Sequence, residues 1–205
     1  MADDMATQTN NQLHKQKAFT LIELLTVISI IAIVTTIALP SFQSLIFTTR
    51  ISSYTSTLQS ALLLTRSEAV KRGINVTICR SENASSGNPS CATTNSNPLA
   101  NTGWASGWII FTDPNNNGIY EPGNVPAETL IAVQDQLIQR IEDGSIIPNR
   151  TLKFISYGST GQTFGTFVQF AINRPDADPN IDHDRFICIA AGGRARVDNA
   201  LCAGN

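Results

Sequence analysis

Between Phe19 and Leu39 the chain reads FTLIELLTVISIIAIVTTIAL, 21 residues that are apolar except for threonine, serine and one ionised side chain, Glu23. A helix rises about 1.5 Å per residue and the hydrocarbon core of a bilayer is about 30 Å thick, so this run is long enough to span a membrane. A carboxylate inside such a run costs roughly 2.5–3.5 kcal/mol on insertion scales, and Glu23 is therefore the residue most in need of a partner. The 18 residues before the run, MADDMATQTNNQLHKQKA, are polar and without periodicity, and Lys15 and Lys17 sit where positive charges retain a segment on the cytoplasmic side. A secretory signal has a shorter apolar core, about 7–15 residues, and a small-residue cleavage site after it. No convincing site of that kind follows this run, so the helix is expected to stay in the working protein.

What remains after an anchor is enough for one soluble head. The chain has 205 residues, 42% hydrophobic and 15% charged, with a formal net charge of -2. Loss of residues 1–18 removes two Asp and two Lys and leaves that balance unchanged. Binding to nucleic acid therefore requires a local basic patch. Pro40 follows the run and predicts a bend in the helix. Beyond it Leu45, Ile51, Leu58, Leu62 and Ala69 keep helical spacing up to Gly73, a C-cap candidate preceded by Lys71 and Arg72. One helix from Phe19 to Arg72 would be about 80 Å long. From Ile74 the period changes: INVTICR, WIIFT, TLIAVQ, TLKFISY, TFVQFAI and RFICIA are short β-branched or aromatic runs between turn residues. The fold class is α+β, a long N-terminal α-helix laid on a mostly antiparallel sheet.

The residues KAFTLIELL resemble the cleavage and assembly motif of type IV pilins and type II secretion pseudopilins. LLLTRSEAVKRGINVTICRS and GWASGWIIFTDPNNNG resemble the GspH/FimT branch of minor pilins within that superfamily. The resemblance implies a type IV pilin-like fold and three segments: a leader, 1–18, removed by prepilin peptidase; a membrane or filament-core half of the helix, 19–45; and a periplasmic head, 46–205. It implies cleavage between Ala18 and Phe19, N-methylation of Phe19, and pairing of Glu23 with the Phe19 ammonium of a neighbouring subunit. The alternative for Glu23 is a carboxylate snorkelling near a helix N-terminus, where the dipole also favours it. Where the family usually has Gly before the cut this chain has Ala18, still small, so cleavage is expected but slower. The implied location is the bacterial inner membrane, single-pass, and then a pilus or pseudopilus whose other pilins are the partners.

Four cysteines, no CxxC and two histidines favour disulfides over a metal site and an oxidising compartment for the head. Three connectivities are possible. The local pairs, Cys79 with Cys91 and Cys188 with Cys202, are preferred because each ties off a loop rich in Gly, Asn and Ser; closing about 15 residues gains roughly 3 kcal/mol in the chain-entropy model. Asp113–Glu121, DPNNNGIYE, matches the opening of a calcium loop, but Asn124 stands where a bidentate Glu would close it and Pro114 interrupts the start. It is read as a hairpin-like turn. The cluster RPDADPNIDHD, Arg174 to Asp184, is read as a solvated loop, and no metal or cofactor is expected.

Near the C-terminus Gly193, Arg194, Ala195 and Arg196 form a GRxR motif that resembles the DNA-binding tail of FimT-type minor pilins used in natural transformation. In an extended segment Arg194 and Arg196 leave the same face, and paired guanidiniums contact successive phosphates without reading sequence. Ion pairing with Asp198, or protection of a sheet edge, explains them equally well. Two to four phosphate contacts give a weak, salt-sensitive affinity, so DNA as a partner calls for many copies along a filament. Lys71, Arg72 and Lys153 are candidates to extend the patch. The chain has no GxSxG, Walker loop or GxGxxG, so no enzyme is expected. Two functions stand: a pilus subunit that displays Arg194 and Arg196 to DNA, or a structural pseudopilin that starts or caps a type II secretion filament.

Overall fold

The computed structural model describes residues 19–93, 102–138, 144–165, 167–173 and 185–202, without the side chains of 37–41, 43 and 44. The leader with Ala18, Lys15 and Lys17, and the Arg174 to Asp184 cluster, lie outside the described residues. Among the described residues one α-helix, α1 (Leu21–Arg72), precedes eight strands, and the chain divides into two compact units, Met1–Ser44 and Leu45–Asn205.

In the first unit, all described side chains between 21 and 36 are exposed. The hydroxyls among them turn inward: Ser29 donates to the Leu25 carbonyl at 2.8 Å, Thr35 to Ile31 at 2.9 Å and Thr36 to Ile33 at 2.7 Å. Each hydroxyl thus satisfies its own donor on the helix, as a segment in an apolar surrounding requires. Among the described residues no helix is long and apolar enough to cross a membrane; the side chains of residues 37–41, which complete the run, are outside that set.

The second unit is built around the other half of α1. Ile51, Thr55, Leu58, Leu62, Thr65 and Ala69 are buried, a stripe at alternating spacings of four and three. The two threonines fit because their hydroxyls donate to the Ile51 and Ala61 carbonyls, each at 2.7 Å. Leu45 departs from the expected stripe and is 61% exposed. Helical spacing places a residue on a face; it does not say how far along the helix the head extends. The helix ends at Gly73, whose φ of 68° and N–H to the Ala69 carbonyl (2.9 Å) form a left-handed cap that a side chain would strain.

Two four-stranded antiparallel sheets follow. The first has β1 (Val76–Arg80), β2 (Trp108–Thr112), β3 (Leu130–Gln134) and β5 (Phe154–Tyr157) in the order β3-β2-β1-β5. The second has β4 (Ser145–Pro148), β6 (Val168–Asn173), β7 (Arg185–Ile189) and β8 (Ala195–Asp198) in the order β4-β6-β7-β8. Val76, Ile78, Ile110, Phe170, Ile187 and the α1 stripe share one core, in which Trp104 meets Phe170 edge to face at 5.1 Å. The opposite face of β1 and β2 is covered too: Cys79, Ile109 and Phe111 make a second cluster. Both faces being covered explains why VTICR and WIIFT are buried at every position, while VQFAIN alternates buried and half-buried. Disulfides join Cys79 to Cys91 (Cα–Cα 5.6 Å) and Cys188 to Cys202 (5.8 Å).

Candidate functional site

Three places carry chemistry. The first is the start of α1. Thr20 precedes the helix and its hydroxyl accepts the Glu23 N–H at 3.3 Å, so T-x-x-E is half of a capping box. Glu23 therefore sits in the first turn, where the helix dipole favours a negative charge, and its neighbours are exposed apolar side chains such as Phe19, 83% exposed. The capping relation was missed at the sequence level although the Thr20-to-Glu23 spacing displays it.

The second is the turn between β7 and β8. Ile189 pairs with Ala195 and Cys188 with Arg196, so Arg196 stands on the outer face beside the Cys188–Cys202 disulfide. Arg194 and Arg196 are both exposed on either side of buried Ala195. Among the described residues neither guanidinium has a hydrogen-bond or ion-pair partner. The ion pair considered with Asp198 is absent: that carboxylate accepts the N–H groups of Asn199 (2.8 Å) and Ala200 (3.3 Å).

The turn itself is fastened from three sides. Gly193 N–H donates to the Ala190 carbonyl at 2.8 Å, Thr163 N–H to Ala191 at 3.2 Å, and Arg66 Nη2, from α1, to Gly192 at 3.2 Å. Gly193 has φ 76°, and a Cβ there would lie 2.0 Å from the Gly161 carbonyl oxygen and 3.1 Å from the buried Tyr157 ring. Gly193 thus permits a close backbone crossing. The basic residues expected to extend the patch are engaged elsewhere. Lys71 and Arg72 pair with Glu68 at 3.5 and 2.6 Å, and the Arg72 hydrogen bond, with the two charges, holds that carboxyl below its ordinary range. Lys153 donates to the Thr93 carbonyl. Arg66 is the cation the fold brings to the turn, and nothing in its sequence neighbourhood signals that.

The third is the connection from β2 to β3. Asp113, fully buried, accepts the Thr77 hydroxyl at 2.7 Å, the Asn117 N–H at 3.1 Å and the Gly118 N–H at 3.0 Å. Glu128 is 4% exposed and was not singled out in the sequence. Burial pushes its carboxyl up from the ordinary 4.5; the Glu121 N–H opposes this, and the Asp113 and Glu121 charges add to it. A carboxyl raised on folding contributes stability below its unfolded value, and that contribution is lost as pH rises through the folded value. Glu128→Gln is accordingly expected to flatten the fall in melting temperature as pH rises above about 4.5.

Comparisons with known proteins follow this geometry. The model of the type II transport protein GspH matches residues 55–193, and that of the prokaryotic N-terminal methylation motif matches 13–39. The first match stops at Gly193, just before the two arginines. No curated protein matches the chain. Two crystal structures of the type IV minor pilin FimU from Pseudomonas aeruginosa are similar to it at 17% identity, with TM-scores of 0.49 and 0.47. They cover 72% of this chain and 87% and 91% of theirs. The family match takes in the helix stripe from Thr55, the whole of the first sheet and the second sheet up to β7, and the methylation motif takes in Phe19 and Glu23: the chain belongs to the GspH family and is a minor pilin or pseudopilin of the GspH/FimT type.

Proposed function

We propose that this minor pilin joins a type IV pilus through its N-terminal helix and presents Arg194 and Arg196 to DNA. In this reading prepilin peptidase cuts between Ala18 and Phe19, Phe19 is methylated, residues 19–45 pass from the inner membrane into the filament core, and residues 46–205 form the periplasmic head. The observation that carries the DNA part is the pair of exposed, unpartnered guanidiniums on a turn pinned by Thr163 and Arg66. A turn already held in place loses little freedom on binding, which favours affinity. Contacts to phosphate alone make the binding weak and indifferent to sequence.

The test is a gel-shift salt series with the full chain in detergent. Retardation of duplex DNA is expected to fall with a log–log slope of about -2 to -4. Arg194→Gln with Arg196→Gln is expected to abolish retardation at about 0.15 M salt and to reduce transformation, with piliation unchanged. Unaltered retardation in the double variant, or loss of pili with no DNA binding by the parent, would leave the second reading in possession: a structural pseudopilin of a type II secretion system. The exposed apolar helix that every filament subunit needs favours that reading equally.

A further inference from the structure

Phe164 leaves its side chain in water, 56% exposed, on the same loop whose Thr163 supports the arginine turn. The ring sits against Gly158, where a Cβ would come within 3.1 Å of the ring Cζ. It lines a groove of about 370 Å³ together with Phe154, Thr163, Arg150 and Lys153. That volume lies in the range of ligand sites. Among the described residues no carboxylate lines the groove. Both cations are held by carbonyl oxygens: Arg150 Nη2 donates to Phe167 at 2.6 Å, and Lys153 Nζ to Thr93. A carbonyl positions a cation without cancelling its charge, and the Thr93 bond uses one of the three donors of the ammonium.

The groove and the twin arginines lie at one end of the second sheet. Val168 lines the groove and pairs with Ile189, which pairs with Ala195, the residue between Arg194 and Arg196. Two strand spacings of about 4.8 Å put Ala195 about 10 Å from Val168. Thr163, also in the lining, donates from its N–H at 3.2 Å and its hydroxyl at 3.3 Å to the Ala191 carbonyl in the turn. Phosphates on one strand of a duplex advance about 3.4 Å per step, so about three steps cover that distance. Cations for phosphates beside an exposed aromatic ring are the parts of a single-strand site, because every base has a π-face and a duplex keeps those faces stacked inside.

We propose that this head takes DNA as a single strand: Arg194 and Arg196 hold phosphates, a base a few steps along enters the groove and stacks on Phe164, and Arg150 and Lys153 hold the phosphates beside it. This rests on the DNA reading and adds a strand requirement, which phosphate contacts alone do not give. Phe154 serves as a wall and not as the stacking ring. It is half-buried, lies over Gly118 and packs against the second core cluster. Lys153, which does not join the β7–β8 turn, thereby returns to the binding surface by another route.

Fluorescence anisotropy of the full chain in detergent, with a labelled single strand of about 12 nucleotides and a blunt duplex of the same sequence, tests this. Phe164→Ala and Phe164→Leu are expected to weaken single-strand binding about 5-fold or more and to leave duplex binding unchanged, while Phe164→Trp keeps both. Leucine retains apolar bulk without a π-face, so its failure identifies stacking. Lys153→Gln is expected to flatten the single-strand salt slope by about 0.7. Thermal melts confirm that the variants fold, since a change at an exposed side chain has little effect on stability. Unchanged single-strand binding in Phe164→Ala, or equal weakening of duplex binding, would overturn the proposal and leave the arginine reading in place. Loss of Phe164→Ala from sheared pili with DNA binding intact would give the groove to a neighbouring subunit instead. Failure of the parent to bind either form of DNA would end both readings.

Discussion

Pili sheared from cells that express Glu23→Gln are expected to contain none of this subunit, while the membrane fraction retains it in processed form. The side chain is a carboxylate in the first turn of a helix whose described neighbours from 21 to 36 are all exposed and mostly apolar. Such a charge is tolerated in lipid only at a cost of roughly 2.5–3.5 kcal/mol, and that cost falls when an ammonium from an adjacent subunit meets it. Removing one partner of a desolvated pair costs about 3–5 kcal/mol, a factor of about 10²–10³ or more in the assembly equilibrium. Glutamine separates this from local structure, because it keeps the shape and can still serve the third position of a capping box. Thr20→Ala removes the hydroxyl that accepts the Glu23 N–H and should cost about 0.5–2 kcal/mol of helix stability while leaving incorporation intact. Immunoblots of sheared filaments, with circular dichroism for helix content, distinguish the two. Normal incorporation of Glu23→Gln, or equal failure of Thr20→Ala, would show that the carboxylate acts on its own helix.

How much of this was legible beforehand depends on where each residue sits. Six strands announce themselves because β1, β2, β5, β6 and β7 face the core and β3 adds its own β-branched run; their sequences are runs of Ile, Val, Phe and Trp. β4 and β8 were not read as strands. They are the two edges of the second sheet, four residues each, and carry Pro148 in one and Arg196 and Asp198 in the other. Edge strands hold polar residues and proline because only one side is paired, so period-two alternation fades there. Contacts across the chain are harder still. Arg66 and Gly192 are 126 residues apart, and Glu128 lies outside the twelve-residue frame against which the Asp113 loop is measured. Spacing finds what the backbone repeats locally; it does not find what the fold brings in from elsewhere.

Gly193→Ala is expected to lower the melting temperature of the full chain in detergent by roughly 6–12 °C, and Gly192→Ala next to it to leave it nearly unchanged. The two glycines share a turn and differ in what a methyl group meets. At Gly192 a Cβ finds nothing within 4 Å and the backbone needs no left-handed angle. At Gly193 it falls 2.0 Å from the Gly161 carbonyl oxygen, an overlap with main chain that no rotamer relieves, and φ is 76°. A non-glycine residue held in a sparsely populated backbone region costs about 1–3 kcal/mol before any clash is counted, so a total near 3 kcal/mol or more follows. Relief requires the β7–β8 turn to lift from the loop at 158–165, which breaks the Thr163-to-Ala191 bonds and moves the Gly192 carbonyl away from Arg66. Arg194 is the next residue and moves with it. A glycine that touched DNA directly would behave differently: Gly193→Ala would then melt like the parent and lose only DNA retardation. Weakened retardation together with a lowered melting point, against a neutral Gly192→Ala, assigns Gly193 the task of letting two stretches of backbone cross so that the arginine beyond is held outward.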